Sequence, residues 1–224
     1  MSDWNASGPS GPDHAGDHRE LAELVDAARR LVSAAALADI APADMRRATA
    51  QMRQVTDVLA TAARSRCLRL PLPTGPVRGR VGGSADPVLG RFNPIAAPLV
   101  VTIDDEGVAR GRLTPGALFE GPPGAVHGGY SAMVLDGVMG TLVRALGVIA
   151  MTGTLTLRYL APTPLDRPLD LTARVVDRGG RKTTVEGWIS ADGRTTVHGN
   201  GTFVSPLTWP PNTTPRQPAD RPTG

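Results

Sequence analysis

Cysteine is nearly absent from this 224-residue chain: Cys67 stands alone, so no intramolecular disulfide braces the fold. Aromatic residues make up only 4%, which leaves a core to be built from aliphatic side chains. Lysine occurs once, at Lys182, and every other basic residue is arginine; with the abundance of Ala and Gly this reads as coding bias before function. Neither sign of charge dominates, with 24 basic against 21 acidic residues and no basic run, and this argues against a nucleic-acid partner. No stretch approaches the ~18 apolar residues of a membrane span. Residues 1–16 also lack the apolar centre of a signal peptide, so the expected location is cytoplasmic. His14 and His18 are four apart but have no third ligand nearby, so no metal site is expected.

The chain divides by composition into five parts. Residues 1–16 read as a disordered tail and 207–224 as a Pro-rich tail that frays. Between them, residues 17–66 read as a helical hairpin. Leu21, Leu24, Val25, Ala28, Leu31, Val32 and Ala35 recur at helical spacing up to about Leu37, and Pro42 then opens a second helix. In that second helix Met45, Ala48, Met52, Val55, Leu59 and Ala62 form a narrow seam of coiled-coil type. Such a hairpin either packs on the main domain and its copies or covers the substrate as a lid. Residues 67–97 are rich in Pro and Gly and read as an irregular connector anchored by Leu89, Phe92 and Ile95.

Residues 98–206 form the main domain. Strands are expected at 99–103 and 108–113, then a helix over 130–146, then strands at 148–160, 169–176, 183–190 and 195–204. One buried helix followed by an antiparallel meander predicts an α+β fold, a sheet curled around a single helix. Met133, Val134, Leu135, Val138, Met139, Leu142 and Val143 make that helix apolar on nearly every side. Its small residues Ala132, Gly137 and Gly140 are expected to let the sheet wrap closely.

Chemistry concentrates at the start of this helix. A Pro-Pro-Gly approach leads into His127-Gly128-Gly129, where residues without Cβ expose backbone N–H donors to an oxyanion. Asp136 then lies within the apolar helix with no Lys or Arg before Arg144, so it must find a partner or change its ionisation. A carboxylate in such a place is a candidate general base or nucleophile.

Phe119-Glu120-Gly121-Pro122-Pro123-Gly124, followed by His127-Gly128-Gly129 and by an acid nine residues after the histidine, resembles the PaaI-type hotdog-fold acyl-CoA thioesterases. The branch most similar includes the carboxyl-terminal modulator protein thioesterase. Thr152 seven residues before Tyr159, Pro162 soon after, and Gly180-Arg181-Lys182 in a later hairpin extend the match. Two positions depart from it. Many relatives carry Glu or Thr after the acid, where this chain has Gly137, and some carry Asn six residues before the histidine, where it has Gly121.

The resemblance implies a hotdog fold, with an antiparallel sheet wrapped around one long central helix, and hydrolysis of acyl-CoA without a cofactor. It implies that the Gly128 amide, with Gly129 beside it, polarises the thioester carbonyl. Asp136 activates water or attacks the carbonyl itself, and Thr152 orients the water or the acid. His127 either contacts the thioester or locks the turn through its ring nitrogens. Arg158, Arg181 and Lys182 are the candidates for holding the phosphates of coenzyme A. A non-catalytic acyl-thioester binding protein, or a dehydratase or hydratase, would use the same fold.

Geometry adds a constraint. Gly128 and Asp136 are eight residues apart, about 12 Å along one helix, too far to act on one carbonyl. The expected active unit is therefore a homodimer, alone or paired into a tetramer, with each site shared between two chains.

Overall fold

The computed structural model describes residues 18–69, 76–81, 85–97 and 99–207. The expected tail at 1–16, the Pro-rich end beyond residue 207 and parts of the connector lie outside the described residues. Among the described residues three α-helices and seven strands follow one another: α1 (Arg19–Ala36), α2 (Pro42–Ala60), β1 (Gly79–Val81), β2 (Val100–Ile103), β3 (Ala109–Leu113), α3 (Gly128–Ala145), β4 (Met151–Tyr159), β5 (Leu169–Gly179), β6 (Lys182–Ala191) and β7 (Arg194–Val204). The expected central helix begins two residues earlier than its apolar pattern indicated, because His127 and the glycines after it form its cap and first turn. The connector was expected to be irregular but contributes β1, which pairs with β2.

All strands join one antiparallel sheet in the order β1-β2-β3-β5-β6-β7-β4. Helix α3 therefore crosses from β3 to β4, the strand at the far edge. The β6–β7 turn is made by Asp192 and Gly193 with φ of 50° and 77°. Positive φ at both central residues matches the strand twist of a tight hairpin, and Asp-Gly is a sequence pair that tolerates it.

The core lies between α3 and the inner face of this sheet. Leu135, Met139 and Leu142 of α3 are fully buried with Val101, Ile103, Leu171, Val185, Ile189 and Val197 from the strands. Close approach comes from glycines in the sheet, not from those expected in the helix. Gly187 of β6 lies opposite Gly199 of β7, and a Cβ at either position would stand within 2.9 Å of Leu135. Gly137 of α3 faces the connector instead, and Gly140 has only an ordinary contact with Phe203.

The two N-terminal helices differ in how they are supported. α1 buries Ala22 and Val25, whereas α2 buries no residue. Met45, Met52, Val55, Val58 and Leu59 of α2 are exposed. Among the described residues no helix is long and apolar enough to cross a membrane.

Candidate active site

The motif loop is folded around its own backbone. Glu120 accepts the Gly124 N–H at 2.7 Å, and Gly124 takes a φ of +75°, which suits glycine. Gly121 lies under His127: a Cβ at 121 would stand 2.7 Å from the His127 Cα. That contact accounts for the departure from the family pattern at this position, since an Asn at 121 would push the histidine backbone away. The His127 N–H donates to the Phe119 carbonyl at 2.8 Å, and the Phe119 ring stacks on Tyr130 with centroids 3.9 Å apart.

His127 is the N-cap of α3, and its Nδ1 accepts the Gly129 N–H at 3.0 Å. An imidazole whose Nδ1 accepts carries its proton on Nε2 when neutral. The ring thus locks the turn, as one of its two expected roles required, and it occupies the Gly129 donor expected to face substrate. The Gly128 N–H has no acceptor among the described residues, while its carbonyl accepts the Tyr159 hydroxyl at 2.8 Å. Gly128 is thus held at its carbonyl and open at its N–H, which lies at a helix N-terminus, where partial positive charge collects. Tyr159 had been read only as a motif position. The Thr–Tyr spacing signalled it, but no local pattern links it to Gly128.

Asp136 does find a partner. The Thr152 hydroxyl, at the start of β4, donates to its Oδ1 at 2.8 Å. The nearest cation on the helix, Arg144, turns elsewhere: to Asp86 at 3.4 Å and the Thr141 hydroxyl at 3.0 Å. Asp136 is half-buried, with one oxygen held by Thr152. α3 is continuous through it, so Asp136 does not cap a second helix.

Gly137, the second departure, is filled from outside the helix. A Cβ there would stand 2.6 Å from Cγ1 of Val88, a buried residue of the connector. Burial pushes the Tyr130 phenol up to about 12. Its hydroxyl is buried with no acceptor among the described residues.

The three expected phosphate-binding cations are not brought together within one chain. Arg158 pairs in register with His198 of β7, and Lys182 pairs with Val204, six residues along the same strand. That separation is about 20 Å. Arg181 lies beside Lys182 in the hairpin, and its Nε donates to the Ser205 carbonyl at 2.8 Å, tying the hairpin to the end of β7. The candidate residues thus divide into two groups. His127, Gly128, Arg158 and Tyr159 lie toward one end of the α3–β4 pair; Asp136, Thr152, Arg181 and Lys182 lie toward the other.

Comparison with known proteins follows the same outline. The thioesterase superfamily model matches residues 123–209. A crystal structure of a thioesterase superfamily protein is 36% identical and aligns over 82% of this chain and 94% of its own, with a TM-score of 0.71. Coverage that wide extends well into the residues before β2. The Xenopus laevis acyl-coenzyme A thioesterase THEM4 is 33% identical over 90 residues, which is 40% of this chain and 40% of that protein, so the match spans under half of the curated relative. The E. coli PaaI protein from the phenylacetic acid degradation operon is 22% identical over 46% of this chain and 80% of its own, with a TM-score of 0.44. This chain belongs to the thioesterase superfamily, and its sheet curled around α3 is the hotdog fold that the motif pattern implied.

Proposed function

We propose that the protein hydrolyses acyl-CoA thioesters to the free acid and coenzyme A, at sites shared between two chains. The observation that carries this reading is the pairing of Asp136 with Thr152 at 2.8 Å while the Gly128 N–H, at the start of α3, has no acceptor among the described residues. A thioester hydrolase needs both: a donor where the carbonyl oxygen gains charge, and an acid–base or nucleophilic group on the carbonyl carbon. The superfamily membership and the THEM4 likeness support the same chemistry.

Both groups lie on α3, about 12 Å apart by helical rise, so the shared site needs a second copy. β4 offers the means. Among the described residues it is an edge strand of nine residues, with β7 on one side and no strand on the other. An open edge is a template for pairing. A two-fold axis through the middle of β4 pairs it antiparallel with its copy and sets the partner's Tyr159 across from Thr152. The partner's Gly128, held by that tyrosine, then approaches Asp136. The same operation carries the partner's Arg158 toward Arg181 and Lys182, and so reunites the three cations that one chain holds apart.

In this site the thioester oxygen accepts the partner's Gly128 N–H. A preorganised donor of this kind is worth about 3 kcal/mol in the barrier. Asp136, oriented by Thr152, takes a proton from the attacking water, or attacks the carbonyl carbon to form an anhydride that water then opens. The coenzyme A thiolate leaves and the acyl group departs as carboxylate. The cations at the hairpin meet the nucleotide phosphates. The reading is tested by screening the purified protein against acyl-CoAs from short to long and aromatic, following free thiol. Turnover of at least one series is expected, and no release with any of them would contradict the reading.

A further inference from the structure

Nothing in the motif explains what holds the Asp136 turn of α3 in place. Gly137 and Gly140 follow Asp136 within one turn, and each glycine weakens a helix interior by roughly 1 kcal/mol relative to alanine. The three atoms nearest a Cβ at Gly137 all belong to Val88, whose side chain is seated where that Cβ would be.

Val88 belongs to a loop that is tightly bonded to itself and to both of its neighbours. Asp86 accepts the N–H groups of Val88 and Leu89 at 2.8 and 3.2 Å and meets Arg144 of α3 at 3.4 Å through its other oxygen. Asn93 donates to the Ala85 carbonyl at 3.2 Å. The far side of the loop rests on Arg29 of α1. Its guanidinium donates to the carbonyls of Ala96 at 3.0 Å, Gly90 at 2.9 Å and Asn93 at 2.8 Å, and to Asp26 at 2.5 Å. The Arg29 side chain is only 18% exposed. Ala22, Val25 and Arg29 fall on one face of α1, and Ala22 and Val25 are its buried residues.

We propose that residues 85–97, braced by Arg29 and seated through Val88 in the notch at Gly137, are the positioning element for Asp136, in place of a side chain at position 137. The inference rests on Asp136 being the catalytic acid. Val88 fills the notch beside the acid and limits the freedom of a turn that two glycines would otherwise leave loose. Arg29 acts through the loop, and α1 serves as its strut. Neither Val88 nor Arg29 touches substrate; both are positioning residues.

The test uses the full-length protein with Val88→Ala, Arg29→Met, Gly137→Ala and the double variant Gly137→Ala/Val88→Ala. Each single variant is expected to lower kcat about tenfold, with KM for acyl-CoA changed less than about twofold, at a temperature where all remain folded. The double variant is expected to recover most of the loss, because the new methyl occupies the space that Val88 gave up. Hydrogen exchange needs no substrate and answers separately from the proposed activity. Amides 134–140 of α3 should exchange about tenfold faster in Val88→Ala and Arg29→Met, with β6 and β7 unchanged. Wild-type kcat with unchanged α3 exchange in both variants would overturn the proposal. Changed exchange in a protein with no thioesterase activity would uphold the brace and count against the proposed function instead.

Discussion

The two ends of the α3–β4 pair are held in different ways. At the Gly128 end most partners are close in sequence: His127 caps Gly129, the Phe119 carbonyl holds the His127 N–H, and Glu120 closes the loop on Gly124. At the Asp136 end the partners come from elsewhere. Thr152 arrives on β4, and Val88 arrives from the connector, itself braced by Arg29 of α1. The cap and first turn of α3 are thus written in one short motif, whereas the placement of Asp136 depends on the assembled fold.

That contrast also explains what could be read in advance. The strands, the buried helix and the candidate residues were legible because alternation, helical apolar spacing and the Phe119–Gly129 motif are local signals. The two departures from the family pattern looked like losses, and in the structure each glycine makes room: Gly121 for the His127 backbone and Gly137 for Val88. Neither neighbour is visible from spacing. Three further features were missed for the same reason. β1 is a three-residue strand defined only by its pairing with β2, Arg29 looks like any solvated helix arginine, and the sheet glycines 187 and 199 matter only once Leu135 is set against them.

The comparison breaks most completely at the acid. Asp136→Asn keeps the shape and the Thr152 contact but removes the base, and is expected to lower kcat at least about a hundredfold with KM little changed. Steady-state kinetics on an acyl-CoA substrate decide it. Near wild-type turnover would remove Asp136 from the chemistry.

A smaller effect is expected at the oxygen-binding end. Tyr159→Phe deletes the hydroxyl that holds the Gly128 carbonyl at 2.8 Å but leaves the Gly128 N–H in place. A loss of about tenfold in kcat is expected from the looser donor. Rates that match wild type would show that the helix start is rigid without it.

Lys182 sharpens the division between chemistry and binding. Its side chain has no hydrogen-bond or ion-pair partner among the described residues, so replacing it removes no polar contact that holds the fold. Lys182→Ala is expected to raise KM for acyl-CoA about threefold, and to leave KM for a short pantetheine thioester unchanged. Equal effects on both substrates would take Lys182 out of nucleotide binding.

The smallest expected effect is on stability. The Tyr130 hydroxyl is buried without an acceptor among the described residues, so Tyr130→Phe should stabilise the protein by about 1 kcal/mol in denaturant unfolding at neutral pH. Burial lifts the phenol of the folded protein from its ordinary 10.0 to about 12, so the folded state holds this proton more tightly than the unfolded chain does. That contribution is complete below pH 10 and is lost as pH rises from 10 toward 12. Wild type should therefore lose more stability than Tyr130→Phe across that window. Parallel curves would mean that the phenol ionises alike in both states.

The shared site is the central claim, and complementation tests it most directly. Asp136→Asn keeps the Gly128 donor, and Gly128→Pro removes it while keeping Asp136. Proline suits the first position of a helix, and His127 already has the extended backbone, with ψ of 130°, that precedes proline. Gly128→Ala, which retains the N–H, serves as the control for the added Cβ beside the Tyr159 ring. Each inactive protein is dissociated, mixed in equal amounts with the other and reassociated. Random pairing gives one intact site in each hybrid, so activity should return to about a quarter of wild type. Hybrid dimers that form, remain folded and show no activity would contradict a site shared between two chains.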